Sequence, residues 1–248
     1  VIQYEVRKSG NDTLADKMDL VMDFKKNATL QSKYIKTLLE ALEHTGDGYI
    51  YGTPRLFGTY TGRMTYSNST LDKYKTSIAL HQLPRKAKDI RGLLRAPNGM
   101  GLIENDASGQ ESRLMAIRSG DPTMIRIFRD DLNFHSMTGA GIIGMDYSEF
   151  MDNYKQQVDT GGYYIEQRQL GKLTNLSCNY RIGGKALSQK AFTQYDTYMT
   201  EETGRFLVQT FNRQYPGVPV YWSTTVKEAR ALGYTERSGG RRYKIDQW

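Results

Sequence analysis

The sequence lacks several features that define common classes of protein. Its 248 residues include one cysteine, Cys178, so an internal disulfide and a cysteine metal cluster are both excluded. No run of about 18 apolar residues occurs, which excludes a membrane-spanning helix. No basic-then-apolar leader opens the chain, so we expect no secretory signal. The single cysteine favours a reducing compartment, and we expect a cytoplasmic protein with no membrane partner.

Local signatures of familiar catalytic sites are also missing. The three histidines, His44, His81 and His135, lack metal-ligand spacing. There is no glycine-rich phosphate loop, no supported Ser/His/Asp arrangement and no internal repeat. With 6 prolines, 38% hydrophobic and 25% charged residues, the composition is that of a globular protein with one large domain or two small ones.

What the sequence does have is clustered positive charge. Lys and Arg number 34 against 27 Asp and Glu, giving a formal net charge of +7. Three basic stretches, each with one acid or none, are 81–95, 167–190 and 237–244. Such clusters favour a polyanionic partner, because phosphate contacts release counterions. The alternative is an ordinary solvated surface.

Apolar spacing and turn residues predict an α+β protein in which a helical block is inserted between pieces of sheet. Leu30, Tyr34, Leu38 and Leu42 recur every four residues and indicate an amphipathic helix within Leu14–Leu42. Strands are predicted at Tyr49–Tyr51, Leu56–Tyr60 and from Leu102 to near Asp106, with a C-terminal hairpin over Tyr234–Ile245. Further helices are predicted from Glu111 to Gly120, after Asp121-Pro122, after Asp146, from Tyr163 to about Ile182, over Thr200–Tyr215 and over Val218–Leu232.

Asp106 is the first candidate for chemistry. It ends a predicted apolar strand and precedes Ala107-Ser108-Gly109, with Glu111 beyond. A carboxylate at a strand end is a good Mg²⁺ ligand, because the strand holds it while the loop leaves metal positions open. Taken alone, Asp106 is better explained as the cap of the following helix at a strand–helix junction.

A second candidate is a stripe on one predicted helix. Arg168, Lys172, Leu176 and Tyr180 are four residues apart and therefore share a slowly drifting face. Two cations followed by an apolar and an aromatic side chain suit a nucleoside triphosphate. The alternative is that the stripe binds no ligand and is simply a helix face that is solvated at one end and packed in the core at the other. His135 could donate a hydrogen bond to a phosphate.

Taken in order, these segments resemble the family A DNA polymerases, the group related to bacterial DNA polymerase I. The resemblance covers roughly Lys33 to the C-terminus. The matching segments are Thr61-Gly62-Arg63, His81-Gln82-Leu83-Pro84, Asp106 to Arg113 as motif A, His135, Arg168-x-x-x-Lys172 with Leu176 and Tyr180 as motif B, Tyr215 to Val218, Gly233-Tyr234 and Gly240 to Tyr243. The Asp-Ala-Ser-Gly wording of motif A is closer to phage enzymes than to the bacterial form, and a phage enzyme would act in the bacterial host cytoplasm.

The resemblance implies a DNA-directed DNA polymerase that adds dNTPs to a primer 3′-hydroxyl. Asp106 and the Ala107 carbonyl would bind two Mg²⁺ ions, and Asp106 and Lys172 would be the catalytic residues. Arg168, Lys172 and His135 would bind the triphosphate. Glu111 would favour deoxynucleotides, Leu176 would lie beside the nucleotide, and Tyr180 would stack near the templating base. Primer–template DNA would contact Arg63, Gln82, Arg85, Lys86 and Arg91.

The resemblance also implies a right-hand architecture, consisting of an incomplete antiparallel palm sheet, inserted helical fingers and a remnant of the thumb. On this basis we divide the chain into a thumb-base segment (1–48), a palm part with motif A (49–118), fingers with the motif B helix (119–235) and a return hairpin toward the palm (236–248).

Two departures from the family pattern affect the expected activity. Leu176 replaces the usual Phe or Tyr, and a leucine cannot stack on the sugar in the same way. No His-Asp-Glu turn, the family's motif C, occurs in the sequence, so one palm carboxylate is missing. Three explanations are a second chain that carries motif C, a truncated fragment, and a degenerate polymerase that serves as a DNA-binding subunit. We favour the first, because the motifs that are present are intact apart from Leu176.

Overall fold

The computed structural model describes residues 6, 9–52, 54–66, 83, 87–103, 105–195, 197–236 and 239–244. The chain divides into two compact units, an N-terminal unit of Glu5–Asn105 and a C-terminal unit that begins at Asp106. The four-part division into thumb, palm, fingers and hairpin stays a prediction.

The N-terminal unit is built on the predicted amphipathic helix. Helix α1 (Asp12–Thr29) continues through a π-helical segment (Leu30–Ile35) into α2 (Lys36–Thr45). Leu38 and Ala41 on α2 are buried in a small apolar core with Leu83 and Ile90. Gly46 ends the helix with φ of 65°, the left-handed conformation that glycine adopts without steric penalty.

The strands predicted in this unit are wrong in position. Instead, β1 (Pro54–Arg55) and β2 (Thr65–Tyr66) form a short antiparallel ladder, and the helical turn α3 (Lys88–Gly92) follows. Leu102 and Ile103 lie in an irregular segment and are 73% and 95% exposed. A strand needs a neighbour to pair with, and none of the described strands pairs with this segment.

The C-terminal unit is a block of helices followed by a hairpin. Its elements are α4 (Gln110–Ser119), α5 (Pro122–Arg129), α6 (Phe134–Ile143), α7 (Tyr147–Gln157), α8 (Tyr163–Cys178), α9 (Gly184–Tyr195), α10 (Glu201–Gln214), α11 (Gly217–Leu232), β3 (Tyr234–Glu236) and β4 (Arg242–Lys244). The predicted helices and the hairpin are confirmed, whereas α6 and α9 were not predicted. Helix α8 ends before the predicted Ile182, because Arg181 takes the left-handed conformation with φ of 56°.

Side-chain caps fix the starts of several helices, as the sequence predicts. Asp121 caps α5 by accepting a hydrogen bond from the Met124 amide at 2.9 Å. Its other carboxylate oxygen accepts from the Gly217 amide at 2.8 Å, so one buried carboxylate joins the N-termini of α5 and α11. Asp146 caps α7 in the same way, accepting from the Ser148 amide at 2.7 Å.

Two buried clusters form the core of this unit. One contains large side chains of α5, α6, α10 and α11, among them Met124, Phe134, Phe211 and Tyr215. The other joins α8, α9 and α10 through Leu173, Leu187 and Leu207. With two separate antiparallel ladders among its described residues, the chain is α+β, and a larger palm sheet stays a prediction.

Helices α6 and α8 pack against each other with their backbones in contact. A Cβ atom added at Gly139 would lie 2.9 Å from the carbonyl oxygen of Gln167. One added at Gly171 would overlap the carbonyl oxygen of His135 and lie 2.8 Å from the Gly139 amide nitrogen. Both positions therefore require glycine, and the pair sets how closely the two helices approach.

Replacing Gly171 by alanine is expected to destabilise the chain by about 1–3 kcal/mol, because the new methyl group forces α6 and α8 apart. Urea unfolding measures the change. Gly183→Ala is the matched control, since its Cβ would meet nothing within 4 Å. An unfolding midpoint of Gly171→Ala equal to that of the control would contradict the close packing described here.

Candidate active site

An open cleft of about 630 Å³ lies on the C-terminal unit. It is bounded by the segment 106–113 at the start of α4, the loop before α6, and one face of α8. The residues that line it are Asp106, Ala107, Ser108, Gly109, Gln110, Glu111, Ser112, Arg113, Phe128, Asp131, Leu132, Asn133, Phe134, His135, Arg168, Lys172 and Leu176. Acidic side chains from the first segment thus share a cleft with cations from α8.

Most residues predicted for chemistry meet in this cleft. Those brought together are Asp106, Ala107, Glu111, His135, Arg168, Lys172 and Leu176. Tyr180 does not line the cleft. It follows the end of α8 and is 63% exposed. The proposed stacking role of Tyr180 stays a prediction.

The segment that carries Asp106 differs from the predicted strand end. Asp106 is exposed in an irregular stretch, and α4 begins after Gly109, whose φ is 61°. Arg113 donates from Nε to the Ser108 carbonyl oxygen at 3.0 Å, and its guanidinium lies 4.9 Å from the centre of the Phe128 ring. Through these two contacts, Arg113 of α4 holds the loop that precedes its own helix. Among the described residues, no strand supports this loop.

Helix α8 presents the predicted stripe to the cleft. Arg168, Lys172 and Leu176 all line it, so the four-residue spacing correctly placed these side chains on one face. The Arg168 guanidinium lies 5.5 Å from the centre of the Tyr154 ring on α7, a cation–π contact. Among the described residues, its Nε is buried without a hydrogen-bond partner.

A buried hydrogen bond joins the two sides of the site. The Asn179 Nδ2 group, just past the end of α8, donates to the Ser112 hydroxyl on α4 at 3.0 Å. Both side chains are buried, with 8% and 2% of their surfaces exposed. The segment that carries Asp106 and Glu111 is thereby tied to the helix that carries Arg168 and Lys172.

His135 lies in the first turn of α6. Asn133 caps this helix by accepting from the Ser136 amide at 3.0 Å, and its own amide donates to the Tyr147 hydroxyl at 2.9 Å. Burial, together with the positive charges of Arg168 and Lys172, lowers the pKa of His135 from its ordinary value to about 4. The imidazole is therefore neutral at pH 7 and can act as a hydrogen-bond donor without adding a third positive charge.

Within the described ranges, no three His, Cys, Asp or Glu side chains lie close enough together to hold a metal ion. Asp106 and Glu111 both line the cleft, and so does Asp131, which has a positive φ of 51°. These residues alone do not form a complete Mg²⁺ site.

The predicted DNA-contacting residues that the structure describes, Arg63 and Arg91, belong to the N-terminal unit. Arg63 follows a turn in which its amide donates to the Thr59 hydroxyl at 2.8 Å. Arg91 on α3 lines an apolar cleft of about 700 Å³ with Leu38 and Tyr49. Gln82, Arg85 and Lys86 lie outside the described residues. The assignment of these five residues to DNA binding stays a prediction.

Sequence reasoning missed several residues of the site. Sequence patterns predict Arg113 only as part of motif A, and the predicted site includes neither Tyr154 nor Asn175. Asn175 carried a usable signal, because it lies seven residues after Arg168 and so falls near the same helical face. Tyr154 carried none, since its contact with Arg168 depends on how α7 packs.

Comparisons with known proteins agree on one family. The family model of DNA polymerase family A matches residues 6–248. The thermostable DNA polymerase I of Thermus filiformis is 28% identical over 225 residues, which are 91% of this chain and 24% of that protein. The DNA polymerase of Mycobacterium phage D29 is 25% identical over 229 residues, which are 92% of this chain and 33% of that protein.

A solved structure has the same fold. The POL domain of Pol1 from M. smegmatis, in complex with DNA primer-template and dNTP, superposes with a TM-score of 0.64 at 21% identity. The match covers 88% of this chain and 34% of that one. The chain thus spans about a quarter to a third of the length of these relatives. None of the described helices has both the length and the apolarity needed to cross a membrane.

The free energy of unfolding is expected to fall as the pH is lowered from about 7 toward 5, partly because of His135. The unfolded chain protonates this imidazole near its ordinary pKa of 6.5, whereas the folded chain does so only at about 4. Between these values the unfolded state binds more protons, so acid favours unfolding. Urea unfolding of the wild type and of His135→Gln at both pH values measures the difference.

The control variant is His44→Gln, which changes an exposed histidine of α2 and should keep the wild-type pH dependence. If His135→Gln were as sensitive to acid as the wild type, His135 would not be held neutral in the folded chain.

Proposed function

Because the chain belongs to DNA polymerase family A, we propose that it is part of a DNA-directed DNA polymerase that adds deoxynucleotides to a primer 3′-hydroxyl. The observation that carries this proposal is the cleft, which brings the motif A carboxylates together with the motif B cations and His135. Asp106 and Arg168 are 62 positions apart in sequence, yet they line one cavity large enough for a nucleotide.

The α8 cations bind the triphosphate in this proposal. Arg168 offers a planar fork of donors, and its stacking over Tyr154 orients that fork. Lys172, one turn along the same face, adds a point charge beside it. As negative charge moves toward the leaving pyrophosphate, Lys172 offsets that charge, which makes it a catalytic residue.

Residues from both α4 and the α8 stripe contact the sugar and the base in this proposal. Glu111 lies in the first turn of α4 and lines the cleft, where it would crowd a 2′-hydroxyl and so favour dNTPs. Leu176 is half-buried at the far end of the α8 stripe and offers an apolar surface without an aromatic ring. Tyr180 lies one turn beyond, near the expected templating position.

Asp106 and the Ala107 carbonyl are this chain's proposed contribution to Mg²⁺ binding. Magnesium prefers carboxylate, carbonyl and water oxygens, and both groups lie exposed at the cleft. The other ligands must come from elsewhere, since the described residues do not complete a metal site. When bound, two such ions would activate the primer hydroxyl and stabilise the leaving group. We place the missing carboxylate on a second chain that carries motif C.

The right-hand architecture is part of the same proposal. Helices α5 to α11 would form the fingers, with α8 as the nucleotide-binding helix, and the segment 49–118 would belong to the palm. The N-terminal helix would be a remnant of the thumb. Arg63, Gln82, Arg85, Lys86 and Arg91 would contact the phosphates of primer–template DNA, which sets position rather than sequence.

A catalytically inactive, DNA-binding subunit is the second candidate. The incomplete metal site among the described residues favours it, because a two-metal mechanism needs several carboxylates that these residues do not bring together. This candidate predicts salt-dependent DNA affinity that is indifferent to both nucleotide and Asp106.

Asp106→Asn is expected to reduce primer extension by at least about 100-fold, because an amide cannot replace a charged metal ligand. Extension is measured with Mg²⁺ and all four dNTPs, for the chain with and without a partner that carries motif C. Asp152→Asn, which changes an exposed carboxylate on α7, is the matched control. Extension that survives in Asp106→Asn would refute the metal role, and no extension even with the partner would favour the inactive subunit.

A further inference from the structure

Asn175 is a fully buried polar side chain next to the cleft. It lies on α8 with 0% of its surface exposed, on the turn between Lys172 and Asn179. Its amide meets three groups of α6, namely the Phe134 carbonyl oxygen at 3.3 Å, the Thr138 hydroxyl at 2.8 Å and the His135 Nδ1 atom at 3.2 Å. The function described so far does not use this residue.

The neighbours fix which way the amide points. The Phe134 carbonyl can only accept a hydrogen bond, so the atom beside it must be the Nδ2 donor. The same Nδ2 group faces His135 Nδ1. On the other side, the Asn175 carbonyl oxygen accepts the proton of the Thr138 hydroxyl. A flipped amide would place two acceptors against each other at Phe134.

Tyr215 completes the chain of hydrogen bonds. Its hydroxyl lies 2.7 Å from the Thr138 hydroxyl oxygen. The Thr138 proton has two acceptors within reach, the Asn175 carbonyl oxygen at 2.8 Å and the Phe134 carbonyl oxygen at 3.2 Å. With that proton used on either of them, Tyr215 is the donor to the Thr138 oxygen. Burial raises the pKa of Tyr215, which keeps its proton in place. Tyr215 is fully buried, so the network is anchored in the core.

We propose that Asn175 is a positioning residue that holds His135 in its neutral Nε2–H tautomer, so that the imidazole can only donate a hydrogen bond in the cleft. An Nδ2 group has no lone pair to offer, and Nδ1 must therefore be the acceptor. The proton of a neutral imidazole is then on Nε2, the ring's other nitrogen. Identifying its acceptor as a nucleotide phosphate oxygen rests on the proposed function.

Electrostatics favour this division of roles. Arg168 and Lys172 already supply two positive charges beside His135, and both disfavour a third. A fixed, neutral donor orients the nucleotide without adding a positive charge that Arg168 and Lys172 would repel. It also needs no reorganisation when the nucleotide binds. Asn175 thus acts through His135, while the charge comes from the other two side chains.

The first test is the protonation of His135 in the intact chain, followed by nitrogen-15 NMR of labelled histidine. The chain has three histidines, and the signals that disappear in His135→Gln are those of His135. At pH 7 we expect a protonated Nε2 and an unprotonated Nδ1. A protonated Nδ1 in the wild type would overturn the proposal, and this measurement depends on no variant and on no activity.

The second test replaces Asn175 by aspartate, whose oxygen can only accept a hydrogen bond. In Asn175→Asp, Nδ1 of His135 should become protonated. Asn179→Asp is the matched control, because it introduces the same charge at a buried asparagine of the same helix end that bonds Ser112 instead. Its His135 should keep an unprotonated Nδ1. An Nδ1 that stays unprotonated in Asn175→Asp would refute the positioning role.

The third test separates this inference from the proposed function. Adding dATP to the wild type should shift the Nε2–H signal of His135 and leave Nδ1 unprotonated. At about pH 8.5, Asn175→Asp should bind dATP about tenfold more weakly than Asn179→Asp, the loss expected for one hydrogen bond to a charged group. If the tautomer is as described but dATP moves no His135 signal, the nucleotide-binding function fails while the role of Asn175 stands.

Discussion

The candidate site depends on the close contact between α6 and α8. Because neither Gly139 nor Gly171 has a side chain, the two backbones approach to a distance that any Cβ would prevent. That approach is what sets His135 beside Arg168 and Lys172 and lets Asn175 reach three groups of the neighbouring helix. Much of the chemistry proposed for this chain therefore depends on the absence of a Cβ atom at these two glycines.

Near this contact, one set of residues carries the charges of the site and another set fixes its geometry. The cations of α8 share the cleft with the carboxylates at the start of α4. The neutral His135 also lines the cleft, and its Nδ1 atom contacts the buried hydrogen-bond network through Asn175. Charged groups that have to meet a mobile substrate remain partly exposed. Asn175 and Thr138, which orient the neutral His135, are buried, where a hydrogen bond is harder to exchange for water.

The helices of the C-terminal unit could be predicted because their signals are local. Asp121-Pro122, Asp146, Thr200 and Gly233 each mark a boundary within a few residues, and the structure has caps there. The strands of the N-terminal unit could not be predicted, since a strand forms only where it can pair with another strand. Apolar residues such as Leu102 and Ile103 do not show whether such a partner strand is present. Likewise, the spacing of the α8 stripe predicted three lining residues, but no spacing could relate Asn175 to Thr138 or Tyr215, which lie 37 and 40 positions away.

The buried bond between Ser112 and Asn179 has an evolutionary consequence. Losing one partner leaves the other buried and unsatisfied, at a cost of about 1–3 kcal/mol, whereas replacing both by apolar residues of similar shape is nearly neutral. The two positions are therefore coupled by epistasis, and a lineage can pass between the polar pair and an apolar pair only through a less stable intermediate. Across homologous chains, these two sites should covary although 66 residues separate them in sequence.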